Sequence, residues 1–194
     1  MTTSLGNTDY ALLGMLKLEP MSGYQLRREI ADSLAYFWSE SFGQIYPALK
    51  RLTALKLITP VRRTTRDTGR GQQFALTPRG ESALADWIAL PAEPQPPRNQ
   101  LLLKLFFGRA AKADVSLTHL RESRDRATAR VASIRVLGEQ IKRERGSHPD
   151  APQWLMTVRH GELQTEAHLQ WCEESIAALL KRDRHDQRPV KSSS

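Results

Sequence analysis

Gln44, Pro47, Lys50, Arg51 and Ala54 recur at the spacing of one helix face, in a stretch with no Asp or Glu. A glutamine carboxamide can trade two hydrogen bonds with an adenine edge. A guanidinium can do the same with guanine, or hold a phosphate. Ile45, Leu49, Leu52 and Leu55 form the opposite, apolar stripe. Such a helix can rest on a small core and show a basic face to a polyanion. A surface helix that only packs on a core has the same pattern. A second basic group follows in Arg63, Arg66 and Arg70, the last beside a glycine in Asp67-Thr68-Gly69-Arg70-Gly71. These arginines suit contacts to a phosphate backbone or a minor groove. As an alternative they mark a charged edge hairpin that resists aggregation.

Other chemistry is weaker. His168 and Cys172 lie one turn apart on a helix, the spacing of two metal ligands, with His160 two turns away and no further ligand at a recognisable spacing. A packed helix seam is the better reading. Gly69-Arg70-Gly71 lacks the Lys-Ser/Thr ending of a phosphate loop and reads as a turn. No nucleophile elbow frames any Ser, His or Asp. Glu162 with Glu166, and Glu173-Glu174, read as solvated helix faces. No enzyme, metal or cofactor is expected.

The elements that would position these residues read in order. Met1 to Gly6 is expected as a loose arm. A helix over about Thr8 to Leu18, capped by Asn7 or Thr8, turns Leu12, Leu13, Leu16 and Met15 inward. Ser22 with Gln25 has the form of a capping box and opens a helix carrying Leu26, Ile30 and Leu34 on one face. Phe37 and Trp38 read as packing between this helix and the next. Ser41 with Gln44 gives a second capping box, so the basic helix is expected from Ser41. Pro47 would then lie past the first turn, which predicts a local bend or a start nearer Gly43. Val61–Arg66 and Gln72–Leu76 read as two strands of a hairpin. Thr77 and Pro78 supply a cap and a first-turn proline for a helix reaching about Leu90. Three helices followed by a hairpin is the order of a winged helix-turn-helix.

These segments carry a family resemblance. FWSESFGQIYPALKRL resembles the PadR family of transcriptional regulators, with its aromatic-Trp-Ser segment and Ile-Tyr-Pro-x-Leu-x-Arg-Leu core, here Ile45, Tyr46, Pro47, Leu49, Arg51 and Leu52. SGYQL is similar to that family's (Ser/His)-Gly-Tyr-x-(Leu/Ile) segment. Phe74, Leu76, Thr77 and Gly80 match its aromatic-x-Leu-Thr-x-x-Gly segment. Two positions depart: Lys56 stands where the family usually has Gly, and Thr53 where it usually has Glu. A Gly would end the helix in a left-handed turn at little cost, so Lys56 must bear strain there or the helix ends differently. The resemblance spans roughly Tyr10 to Leu90. It implies a DNA-binding dimer that releases DNA on binding a small aromatic or drug-like molecule, and it adds Tyr46 to the contact candidates.

The second half is built differently. Pro91-Ala92-Glu93-Pro94-Gln95-Pro96-Pro97 reads as an extended linker. Leu101 to Phe107 is a short apolar helix, and LKLFFG is similar to the opening of the larger second domain of one PadR branch. A long helix is expected from about Asp114 to Arg145. Leu117, Arg124, Val131 and Gly138 repeat by sevens along it, as do Leu120, Ala127, Ile134 and Ile141. At the helical rise it would span roughly 45 Å. A last helix from about Pro152 to Arg182 carries Trp154, Val158, Gly161, Thr165, His168, Cys172, Ile176 and Leu179 by alternating fours and threes. The apolar edge of this helical hairpin reads as a dimer interface, or else as a hairpin folded onto its own head. Asp183 to Ser194 reads as a disordered tail.

The 194 residues carry a net charge of +8. Between Ser41 and Gly80 the bases Lys50, Arg51, Lys56, Arg62, Arg63, Arg66, Arg70 and Arg79 face only Asp67. From Pro91 onward 18 basic and 13 acidic residues are mixed along helices. The charge therefore concentrates where the motifs lie. A single cysteine excludes an internal disulfide. Neither a signal pattern nor a membrane-length apolar run is present, so a cytoplasmic protein is expected.

Together these observations predict a mainly α chain. A winged helix-turn-helix with a β-hairpin wing (1–90) is followed by a linker (91–98), a long-helix hairpin that dimerises (99–183), and a tail (184–194). The expected function is a ligand-responsive repressor binding a pseudo-palindromic operator. Its DNA-contact candidates are Ser41, Gln44, Tyr46, Lys50, Arg51, Arg63, Arg66 and Arg70, and its effector-contact candidate is Trp154. The rival reading is a winged helix used for protein contact and assembly.

Overall fold

The computed structural model describes residues 5–38, 42–61, 71–94 and 98–186. The chain divides into two units, Met1–Pro94 and Gln95–Ser194.

In the first unit, α1 (Asn7–Leu18) begins one residue earlier than the sequence suggests, with Gly6 as its cap. The Gly6 N–H donates to the Asp9 carboxylate at 2.9 Å, so the first turn folds back on the residue before it. Leu5 packs against the core and is no part of a loose arm. β1 (Met21–Ser22) is a short strand beyond the two strands expected from the sequence. The capping box of α2 (Gly23–Ser33) forms as expected: the Gln25 N–H donates to Ser22 Oγ at 3.3 Å, and the Ser22 N–H to Gln25 Oε1 at 2.8 Å.

A 3-10 turn, Phe42–Gln44, leads into α3 (Ile45–Ala54). This corrects the expected helix start. Because the α-helix begins at Ile45, Pro47 falls in its first turn, where its missing N–H has no helical partner to lose. Ser41 lies outside the described residues, and its capping box with it. β2 is Ile58–Val61, earlier than the predicted Val61–Arg66, and β3 is Gln73–Leu76. The sheet is antiparallel in the order β1-β3-β2, with Met21 opposite Phe74 and Ile58 opposite Leu76. Pro60 is tolerated because β2 is an edge strand. α4 (Pro78–Ala89) is capped by Thr77, whose Oγ1 accepts from the Gly80 N–H at 3.1 Å.

The core of this unit is a single apolar cluster. Leu12, Leu13 and Leu16 of α1, Leu26 and Ile30 of α2, Ile45, Leu49 and Leu52 of α3, and Ile58 and Leu84 meet there. Tyr10 stacks flat on Trp87 with ring centroids 4.5 Å apart, joining α1 to α4. Three helices and a small sheet in this order make a winged helix-turn-helix.

The second unit is helical. α5 (Gln100–Phe106) and a 3-10 turn (Gly108–Ala110) precede α6 (Ala113–Arg145) and α7 (Ala151–Asp186). The two predicted seams face each other within one chain: Leu117, Leu120, Ala127, Val131 and Ile134 of α6, and Val158, Thr165, Cys172 and Ile176 of α7, are buried. The heptad stripe is therefore used inside the hairpin and is not left open as an edge. Arg135 of α6 ties the helices together outside the seam, donating to Glu162 at 2.9 Å and to Glu166 at 2.5 Å. α5 remains apolar but uncovered, with Leu102, Leu103, Phe106 and Phe107 exposed.

Candidate nucleic-acid interface

The apolar stripe of α3 enters the core, which fixes what its other side can show. Gly43, Gln44, Tyr46, Pro47, Lys50 and Ala54 are exposed. Tyr46 leaves 64% of its surface open although its ring is the nearest neighbour of Gly23, where a Cβ would approach Tyr46 to 2.8 Å. Gly23 thus lets the first turn of α2 close against α3. Between that turn, α3 and β3 runs a groove of about 580 Å³, bordered by Tyr24, Tyr46, Lys50, Thr53 and Gln72. Among the described residues its borders carry the phenols of Tyr24 and Tyr46, the hydroxyls of Ser22 and Thr53, the Gln72 carboxamide and the Lys50 ammonium, and no carboxylate. The walls of the groove are mostly apolar, and its few polar groups are ones that can bond phosphates and base edges.

Arg51 departs from the expected face. Its Nη2 donates to Asp9 Oδ1 at 2.6 Å, and Asp9 is 1% exposed. The guanidinium is turned toward α1, leaving its side chain 34% exposed. A buried carboxylate must be paired or lose much of its stability, and Arg51 supplies the pairing. Arg63, Arg66 and Arg70 lie outside the described residues, as does Ser41. Of the predicted contact set, α3 therefore brings Gln44, Tyr46 and Lys50 together on one open surface.

Two residues escaped the sequence reading. Tyr24 is exposed on the first turn of α2 beside the same groove. Asp9 was missed as the partner of Arg51. The available signal was an acid one turn before Leu12 and Leu13, on the side of α1 that faces inward.

α3 ends in the left-handed turn, one of the two endings its sequence left open. Lys56 has φ 58°, the left-handed conformation. Its N–H donates to the Thr53 carbonyl at 3.0 Å, and the Leu57 N–H to the Leu52 carbonyl at 3.0 Å. These are the two bonds of a Schellman cap, made here without the usual glycine.

In the second unit Trp154 is half-buried and stacks on His148 at 4.6 Å. It borders neither the α3 groove nor the recess of about 360 Å³ formed by Leu103, Lys104, Phe107, Val115, Ser116 and His119. His168 Nε2 lies 2.9 Å from Ser123 Oγ and 3.7 Å from Cys172 Sγ, within the α6–α7 seam. Among the described residues no group of three or more His, Cys, Asp or Glu could hold a metal ion.

Comparison with known proteins gives two adjoining family matches. Residues 12–86 match the transcriptional regulator PadR-like family, and residues 97–180 match the virulence activator alpha C-term family. The negative transcriptional regulator PadR of Bacillus subtilis is 28% identical over 180 residues, covering 90% of this chain and 97% of that protein. The structure of B. subtilis PadR in complex with operator DNA superposes with a TM-score of 0.72 at 25% identity, covering 88% of this chain and 98% of the other. Its structure with p-coumaric acid gives 0.68 at 24% identity, covering 88% and 97%.

Proposed function

We propose that this chain, whose residues 12–86 match the PadR-like family of transcriptional regulators and which is 28% identical to B. subtilis PadR, is a DNA-binding repressor that grips a pseudo-palindromic operator as a homodimer. The observation that carries the reading is the open, carboxylate-free face of α3. Gln44 reads a base edge, Tyr46 and Lys50 hold base or backbone, and Arg63, Arg66 and Arg70 hold phosphates along the backbone. Ser41 joins them at the start of the basic stretch. The operator complex of B. subtilis PadR supports this, since that relative aligns over nearly the whole chain.

The domain assignment belongs to the same proposal: a DNA-binding head to about residue 90, a linker over 91–98, and a dimerising helical part from 99, which runs past the expected 183 to the end of α7 at Asp186, with a tail beyond. The apolar side of α5 supports dimerisation, because Leu102, Leu103, Phe106 and Phe107 form the kind of uncovered patch that a partner normally hides. A two-fold dimer would offer two heads to two half-sites. The reading includes a cytoplasmic protein without catalytic activity; among the described residues no helix is long and apolar enough to cross a membrane.

A small aromatic effector completes the proposal, supported by the p-coumaric acid complex of the relative. The recess beside α5 suits such a molecule by size and apolar lining better than Trp154, whose ring is already stacked on His148. A protein-contact role for the head is less favoured, because the open face of α3 offers Lys50 and hydrogen-bond donors without the mixed charge of a protein-binding surface. The test is a salt titration on a pseudo-palindromic duplex selected by the protein and on a random duplex. Steep salt dependence on both, with tighter binding to the selected one, is expected. Weak binding to both, insensitive to salt, would leave the protein-contact reading.

A further inference from the structure

Three observations meet at Asp9. Its side chain is buried, one carboxylate oxygen accepts the Gly6 N–H at 2.9 Å, and the other accepts Arg51 Nη2 at 2.6 Å. One residue of α1 thus holds both the start of its own helix and the far side of α3. Arg51 lies one position after Lys50 and four before Leu55, so its direction sets how α3 is rotated about its axis. With Arg51 held by Asp9, Gln44, Tyr46 and Lys50 remain the exposed side chains of this stretch. Apolar packing alone leaves some freedom, because a stripe of leucines tolerates small rotations. A charged, directional bond tolerates much less.

We propose that Asp9 is a specificity-determining positioning residue: through Arg51 it fixes the angle at which α3 presents Gln44, Tyr46 and Lys50 to DNA. This rests on the DNA-binding reading above, and it reassigns Arg51 from DNA contact to internal brace. Displacing the reading groups by about an ångström loses bidentate base contacts while leaving loose phosphate contacts intact. The expected signature is loss of discrimination without loss of general affinity.

The experiment uses the full chain and three variants, Asp9→Asn, Arg51→Met and Arg51→Lys. Binding to a selected duplex and to a scrambled one of equal length is measured across a salt series, with folded fraction followed by circular dichroism. Asp9 is buried and offers no surface of its own to a duplex, so its effect on DNA passes through the fold. The expected result is a fall of about tenfold in selected-over-scrambled preference for Asp9→Asn and for Arg51→Met, which corresponds to one bidentate base contact. Scrambled-duplex affinity and the salt slope stay at wild-type values. The double variant loses no more than either single one, and Arg51→Lys recovers part of the preference.

Several outcomes would overturn the proposal. A salt slope reduced by about one in Arg51→Met but not in Asp9→Asn makes Arg51 a phosphate contact. Equal weakening on both duplexes, in proportion to the unfolded fraction, makes the pair merely structural. A well-folded Asp9→Asn with unchanged preference removes Asp9 from recognition. If wild type itself binds no duplex, the DNA-binding reading fails first, and the variants show nothing further.

Discussion

Gly80 and Leu57 touch so closely that a Cβ on Gly80 would collide with the Leu57 carbonyl oxygen. That same oxygen accepts from the Thr77 N–H at 3.1 Å and from Thr77 Oγ1 at 3.0 Å. The start of α4 is thereby pinned to the chain just after α3. Gly80→Ala must push these backbones apart, and overpacking of this kind costs about 1 to 3 kcal/mol. Urea unfolding should show a midpoint well below wild type. An unchanged midpoint would mean that the contact is not close in solution.

Lys56 is the complementary case. Its φ of 58° carries the strain that a side chain meets in the left-handed region. Lys56→Gly should stabilise the first unit by about 1 kcal/mol, seen as a raised urea midpoint with the same slope. A loss of stability would show that the lysine side chain makes up for its backbone.

The arginine clamp on α6 and α7 gives a pH prediction. Hydrogen bonds from Arg135 and then Arg159 hold Glu162 below the ordinary carboxylate range. A depressed folded-state value stabilises above the unfolded value, about 4.3 for Glu, and that contribution disappears as pH falls through the folded value. Glu162→Gln should therefore be slightly less stable than wild type at neutral pH, and the two should converge in acid below about pH 4. The effect is small because the pair is exposed to solvent screening. Thermal midpoints taken from pH 7 down to pH 3 read it directly, and parallel curves would contradict it.

For the interface, Lys50→Ala and Arg66→Ala should each flatten the salt dependence of DNA binding by about one unit of slope, on every duplex. Neither should move the unfolding midpoint by more than about 0.5 kcal/mol equivalent. A slope unchanged in Arg66→Ala would remove the wing from the contacts, and one unchanged in Lys50→Ala would remove Lys50.

The long elements were legible because one periodicity governs them. α6 and α7 lie within a few residues of their expected bounds, and every predicted α7 seam residue from Val158 to Leu179 is buried or half-buried. Local chemistry was legible too: Ser22 caps with Gln25, Thr77 caps α4, and Lys56 takes the left-handed turn. Pairings between distant segments left little trace. β1 is two residues long and exists because β3 lies beside it, so no pattern within Met21-Ser22 announces it. Arg51 sits at the margin between the two faces of α3, and spacing alone does not say which way a long side chain turns. Its direction is decided by Asp9, 42 residues earlier. Likewise the heptad stripe told which residues pack, but α7 of the same chain takes the place that a second copy could have held.

The most direct measurement is recovery of bound duplexes from a random pool by the full-length protein, at near-physiological salt. The account predicts enrichment of an inverted repeat whose half-sites lie about ten base pairs apart, or a multiple of that, with Lys50→Ala recovering far less of it. A pool that stays random after repeated rounds, while the protein remains folded, would contradict the claim that the α3 face reads DNA.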